Sequence, residues 1–190
     1  MSMTMKRIFL IGIALFLSLS YVAAQNVASE RAKVKEQMRV EQAALDSVYF
    51  EQAQKAIEAR QFVLEADRVM FKYGTTAYVN PNTNFVAMEG DKATVQVAFN
   101  IPVGGPNGLG GITLDGNVTN FKQKVGKRGT LYISFHVTGT GISADIDISL
   151  PQGSSTAQLS IRPTFNSNEL QLSGHVLPLS HSNVFKGSAL

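Results

Sequence analysis

The sequence predicts a mainly β fold: an antiparallel meander of seven to eight strands, sandwich or barrel-like, preceded by an N-terminal amphipathic helix. Two patterns carry that expectation. Beyond residue 62, apolar and polar residues alternate with period two in short segments separated by glycine-rich connectors, as in strands with one buried and one wet face. Residues 26–60 contain no Gly or Pro and are rich in Ala, Glu, Gln, Lys and Arg, a composition that favours helix.

The N-terminus sets the expected compartment. Lys6 and Arg7 precede the apolar run "IFLIGIALFL" and then "SLSYVAA", the basic–apolar–small order of a secretory signal. Val22 and Ala24 fit the positions before a cleavage site, so residues 1–24 are expected to be removed ahead of Gln25. The apolar stretch from Ile8 to Val22 is short against the roughly 20 residues a membrane span requires. A periplasmic or secreted protein with no transmembrane span after cleavage is the expectation.

Loss of that segment changes the charge. The 17 basic residues of the whole chain fall to 15 without Lys6 and Arg7, against 14 acidic ones. So balanced a chain lacks the basic field that nucleic-acid binding uses. The chain has no cysteine, which removes disulfides, thiolate metal sites, a thiol nucleophile and N-terminal cysteine acylation. Stability must come from an apolar core.

The expected organisation is a signal peptide at 1–24, a helical segment at 25–60 and a β-rich domain at 61–187. Along the helix, Val34, Met38, Leu45, Tyr49, Ala53 and Ile57 mark one apolar stripe, with six acids and six bases on the remainder. Glu41 and Gln52 interrupt the stripe, so packing on the protein's own sheet is expected rather than a coiled coil.

Strands are expected near 62–72, 84–89, 93–101, 112–124, 130–138, 142–150, 156–162 and 169–177. In "LYISFHV" and "ISADIDISL", Leu131, Ile133, Phe135 and Val137 share one face, as do Ala144, Ile146 and Ile148. A two-residue turn at Gly139 and Thr140 would pair Val137 with Ile142 and Phe135 with Ala144, setting apolar against apolar. The long strand through Gly116 loses its alternation between Leu114 and Phe121, so Gly116 is expected to host a bend or bulge. An outer-membrane barrel fits poorly, because the alternate faces carry Asp, Gln, Ser and Lys rather than a lipid-facing apolar band.

"TNFVAMEGDKATVQVAFN", "GPNGLGGITLDGNVTNF" and "SNVFKG" together resemble a domain-of-unknown-function (DUF) family of exported Bacteroidetes proteins, from about Ala56 to Gly187. The resemblance implies an envelope or secreted location and a β-rich domain. It implies no catalytic residue.

Two groups of residues are candidates for a site. The loop Gly105, Pro106, Asn107, Gly108, Leu109, Gly110, Gly111 leads into "ITLDGNV", a strand, with no Gly-Lys-Ser/Thr and no following helix, so it does not read as a phosphate loop. A structural connection is expected there, with ligand or partner contact as the functional reading. The second group is polar: in the hairpin above, His136 faces Ser143 diagonal to Asp145, and Tyr132 faces Asp147. That set lacks metal-ligand spacing and an activated nucleophile. The functional expectation is therefore a noncatalytic exported module with no cofactor, no metal and no nucleic-acid partner. It would bind a macromolecule or a glycan. A lipocalin-like carrier of a small apolar ligand inside a barrel is the alternative, and an enzyme comes third.

Overall fold

The computed structural model describes residues 3–71, 74–98, 111–164 and 169–187, with side chains from residue 29 onward. The chain divides into two compact units, Met1–Ala44 and Leu45–Leu190. The first is helical: helix α1 runs Met3–Glu58, so its last turns belong to the second unit. α1 stops where Arg60 takes a positive φ of 53°, which turns the chain out of the helix and into the first strand.

The second unit is an eight-stranded antiparallel barrel with one added strand. The strands are β1 (Gln61–Met70), β2 (Thr76–Tyr78), β3 (Phe85–Glu89), β4 (Lys92–Ala98), β5 (Gly111–Val125), β6 (Leu131–Gly139), β7 (Ser143–Leu150), β8 (Thr156–Pro163) and β9 (Leu170–Pro178). From β3 to β9 each strand pairs with the next, and β1 pairs with both β3 and β9, closing the sheet on itself. Closure abolishes the free edges an open sheet would leave. The short strand β2 pairs with the far end of β1 and was not expected. Three residues are too few to establish an alternation.

Eight expected strands correspond to β1 and β3–β9. Expected residues 72 and 99–101 lie outside the described ones. Two irregularities shape the barrel. At Asp67 the β1–β9 register shifts between Ala66 and Arg68. In β5 it shifts between Thr119 and Lys122 against β6, where Asn120 has a φ of 55°. The bulge expected at Gly116 thus sits at Asn120, whose short polar side chain tolerates the left-handed region. Gly116 serves close approach instead. It faces Gly139, and a Cβ there would lie 2.2 Å from the Thr138 carbonyl oxygen. The bulge turns Phe121 back toward the core, stacked on Phe135 with ring centroids 6.2 Å apart and under the Arg60 guanidinium at 4.6 Å.

The β6–β7 turn also differs from expectation. Thr138 pairs with Ser143, Val137 with Ala144 and Phe135 with Ile146. Gly139 N donates to the Ile142 carbonyl at 3.0 Å, and Gly141 has a φ of 76°. The loop is four residues, Gly139–Ile142, rather than two, so the register moves by two. Because side chains alternate with period two, every residue keeps its face and changes only its neighbour.

Phe62, Leu64, Met88, Leu131, Ile133, Ile146, Ile148, Leu150, Leu159 and Leu172 are buried and form one cluster. Ala53, Ala56 and Ile57 of α1 join it, while Val34, Met38, Leu45 and Tyr49 are 43–58% exposed. Within the second unit, packing of the apolar stripe on the sheet therefore holds at Ala53 and Ile57 and not at Leu45 and Tyr49.

The C-terminal segment covers part of the outside. Phe185 N donates to the Asn82 carbonyl at 2.8 Å. Gln96 Nε2 donates to the Phe185 carbonyl at 2.8 Å, and Gly187 N donates to Gln96 Oε1 at 2.7 Å. Gln96, bonded to this strap, is buried, as are Asn84 and Thr113. Thr113 Oγ1 donates to Gln96 Oε1 at 2.9 Å, and Asn84 Oδ1 accepts from Ala98 N at 2.9 Å.

Candidate functional site

The outward side chains of β5–β9 form a continuous polar face, because the ladder aligns them in rows. One row runs Lys124, Tyr132, Ser149, Gln158, Ser173 and Arg68. The next runs Lys122, Ser134, Asp147, Ser160, Gln171 and Met70. Cross-strand neighbours at one level touch in this way, so residues spread over a hundred positions of sequence become a single surface.

Among the described residues, three neighbouring depressions lie on this face. A groove of about 490 Å³ is lined by Lys122, Lys124, Tyr132, Ser134, Asp147, Ser149, Gln158, Ser160 and Gln171, with Ile133, Ile148 and Leu159. A smaller one of about 250 Å³ adjoins it through Gln158 and Gln171 and continues to Arg68, Ser173 and Thr76 of β2. A third, of about 780 Å³, shares Lys124 and Tyr132 with the groove and continues over the β5–β6 turn past Lys127, Arg128 and Thr130. Tyr132 is 50% exposed at the junction.

Internal bonds hold several of these groups in place. Arg162 pairs with Asp147. Ser160 Oγ donates to Glu169 Oε1 at 2.7 Å, and Arg68 Nη2 donates to Ser173 Oγ at 3.0 Å. The Tyr132 ring edge lies under Gly126, where a Cβ would approach its Cε2 to 2.7 Å.

The polar set expected from sequence is split. Tyr132 and Asp147 line the groove, but Tyr132 faces Ser149 rather than Asp147. His136 faces Asp145 directly rather than Ser143, with Nδ1 2.8 Å from Asp145 Oδ1. This pair lies one level beyond the groove, in a row with Thr119 and Arg162. Both corrections follow from the two-residue shift at the β6–β7 turn. Among the described residues no group of three or more His, Asp or Glu could hold a metal ion, and no helix is long and apolar enough to cross a membrane. Of the glycine loop, Gly105–Gly110 lie outside the described residues. Gly111 opens β5 against Ala98, where a Cβ would lie 1.8 Å from the Val97 carbonyl oxygen, so backbone proximity requires glycine there.

Sequence reasoning missed Lys122, Lys124, Gln158 and Gln171. Their signal was available only in part: "FKQKVGKR" is visibly basic, but the glutamines look like ordinary outward residues until the barrel closes.

The fold and sequence have a counterpart in a solved crystal structure, a DUF4251 family protein from Bacteroides eggerthii DSM 20697. The two share 50% identity with a TM-score of 0.67, over 75% of this chain and 96% of that one. No curated protein matches the chain. The family model for a domain of unknown function, DUF4251, matches residues 44–176, from the last turns of α1 into β9. On that match and this barrel, the chain belongs to the DUF4251 family.

Proposed function

We propose that the protein is an exported, noncatalytic module that binds a glycan on the outer face of its barrel. One observation carries this reading: the 490 Å³ groove and the adjoining depression join at Gln158 and Gln171 into one strip, in which polar side-chain ends border a largely apolar floor. Sugar hydroxyls both donate and accept hydrogen bonds. Amides and hydroxyls such as Gln158, Gln171, Ser134 and Ser149 do the same. Tyr132 adds an exposed flat ring with a polar tip, suited to the less polar face of a sugar.

The carrier alternative requires room inside the barrel. The described inward side chains are buried in one cluster, which favours recognition on the outside. The noncatalytic part rests on the strip itself, which offers recognition groups rather than an activated nucleophile. Export rests on the basic–apolar–small order of residues 1–24. Native material should begin at Gln25, and an intact mass that retained residues 1–24 would remove that part.

Calorimetric titration of the mature protein with a panel of soluble oligosaccharides tests the binding. At least one should bind, and Tyr132→Ala should weaken it about tenfold or more with an unchanged melting temperature. Silence across the panel, or binding indifferent to Tyr132 and Gln158, would refute the reading.

A further inference from the structure

The third depression differs from the other two in charge. Lys122 and Lys124 lie two apart on the outward face of β5, opposite Ser134 and Tyr132, roughly 7 Å from each other along the strand. Lys127 and Arg128 follow on the exposed β5–β6 turn. That turn is held tight: Gly126 N donates to the Thr130 carbonyl at 2.8 Å, and Gly129 N donates to the Gly126 carbonyl at 3.0 Å. The backbone thus fixes where the four cations begin.

Elsewhere on the barrel, three exposed cations hold carboxylates, while Arg68 holds the Ser173 hydroxyl. Arg60 pairs with Asp91, Arg162 with Asp147 and Lys186 with Asp115. Among the described residues no carboxylate lies within ion-pair distance of Lys122, Lys124, Lys127 or Arg128. Lys124, Lys127 and Arg128 line this depression, and Lys122 stands beside it in the groove; like charges so gathered repel one another, and a bound anion relieves that repulsion. The charge is local, since the chain without residues 1–24 is nearly balanced. This favours an anion aligned with the groove over indiscriminate binding of polyanions.

From this, and resting on the glycan reading above, we infer that the ligand is an acidic polysaccharide. Its neutral hydroxyls lie along the groove, and its carboxylate or sulfate groups lie over Lys124, Lys127 and Arg128. The shared residues Lys124 and Tyr132 make the two parts one path.

The test compares the mature protein's affinity for a hexameric oligogalacturonate, a chondroitin sulfate hexasaccharide, a neutral cello-oligosaccharide and inorganic phosphate, at low and high salt. An acidic oligosaccharide should bind about tenfold or more tighter than the neutral one, and the advantage should fall with salt. Lys127→Gln with Arg128→Gln should remove the advantage while leaving neutral-sugar affinity and melting temperature in place. Equal affinity for acidic and neutral sugars would overturn this inference and leave the glycan reading standing. Phosphate that competed as well as the acidic hexamers would reduce the site to a general anion cup and overturn it too. Absence of binding to every sugar would overturn both.

Discussion

Two parts of the barrel's outer surface are both polar, yet they are treated in opposite ways. Beside β3, β4 and the start of β5, Asn84, Gln96 and Thr113 are sealed, with Gln96 completely buried and bonded to the C-terminal strap. Over β5–β9, Tyr132, Gln158 and Gln171 remain open to solvent. A sealed polar group must find its partner within the chain, because burying it unpaired costs about 1–3 kcal/mol. An open one is free to exchange water for a ligand. Among the described residues no buried side-chain nitrogen or oxygen lacks a hydrogen bond, so the sealed face is complete as built. The open strip is the face with capacity left for recognition.

The largest test of this contrast starts from the shared interior that holds both faces in place. Ile146 is completely buried between Phe135 and Ile161. Ile146→Asp would place an unpaired charge in the core and should cost about 4 kcal/mol or more. A denaturant midpoint close to that of the parent would show that the barrel interior is not as packed as described.

A smaller loss is expected on the sealed face. Gln96→Leu strands the Gly187 N–H and the Phe185 carbonyl, and should cost about 1–3 kcal/mol. Residues 182–187 should then become sensitive to protease. The corresponding change on the open face, Gln158→Leu, should move stability by less than about 0.5 kcal/mol. Equal losses at the two positions would erase the distinction between sealed and open.

Next comes Asp147 in the groove. Its partner Arg162 is half exposed, so Asp147→Asn should cost no more than about 1 kcal/mol, read from the same denaturant series. A larger loss would mean the pair is structural and not part of an adaptable surface.

The smallest effect is a pH dependence at the rim of the strap. Burial of Asp115 opposes its ionisation. The Lys186 ammonium at 2.5 Å and the Thr94 hydroxyl at 2.8 Å outweigh that, holding its carboxyl below the ordinary range. The folded chain thus takes up this proton at lower pH than the unfolded chain. The contribution is complete above the ordinary carboxylate pKa and is lost as pH falls through the lower folded value. Asp115→Asn should flatten the acid limb of a stability–pH curve slightly. An unchanged limb would separate the strap from this ion pair.

What could be read in advance follows from the range of each interaction. Alternation within one strand is local, so the inward set of Leu131, Ile133, Phe135 and Val137 was legible from seven residues. It also survived a two-residue error in the turn, because that slip preserves faces. Which residue stands opposite which is not local. A four-residue loop in place of a two-residue one moved Asp145, rather than Ser143, opposite His136. The candidate strip is less local still: it needs five strands in register, and no segment that supplies one lysine or glutamine carries information about the others.

The sequence by itself therefore determined the types and order of the main elements, the inward faces of β6 and β7 and the absence of disulfide support, all through local periodicity and composition. Only the tertiary structure decided between sandwich and barrel. That choice depends on β1 meeting β9, with Phe62 paired to Pro178 across more than a hundred residues. It also decided which outer face is sealed, because the strap reaches Gln96 from the far end of the chain. Closure and coverage are long-range events whose loop entropy is offset only once the whole barrel forms.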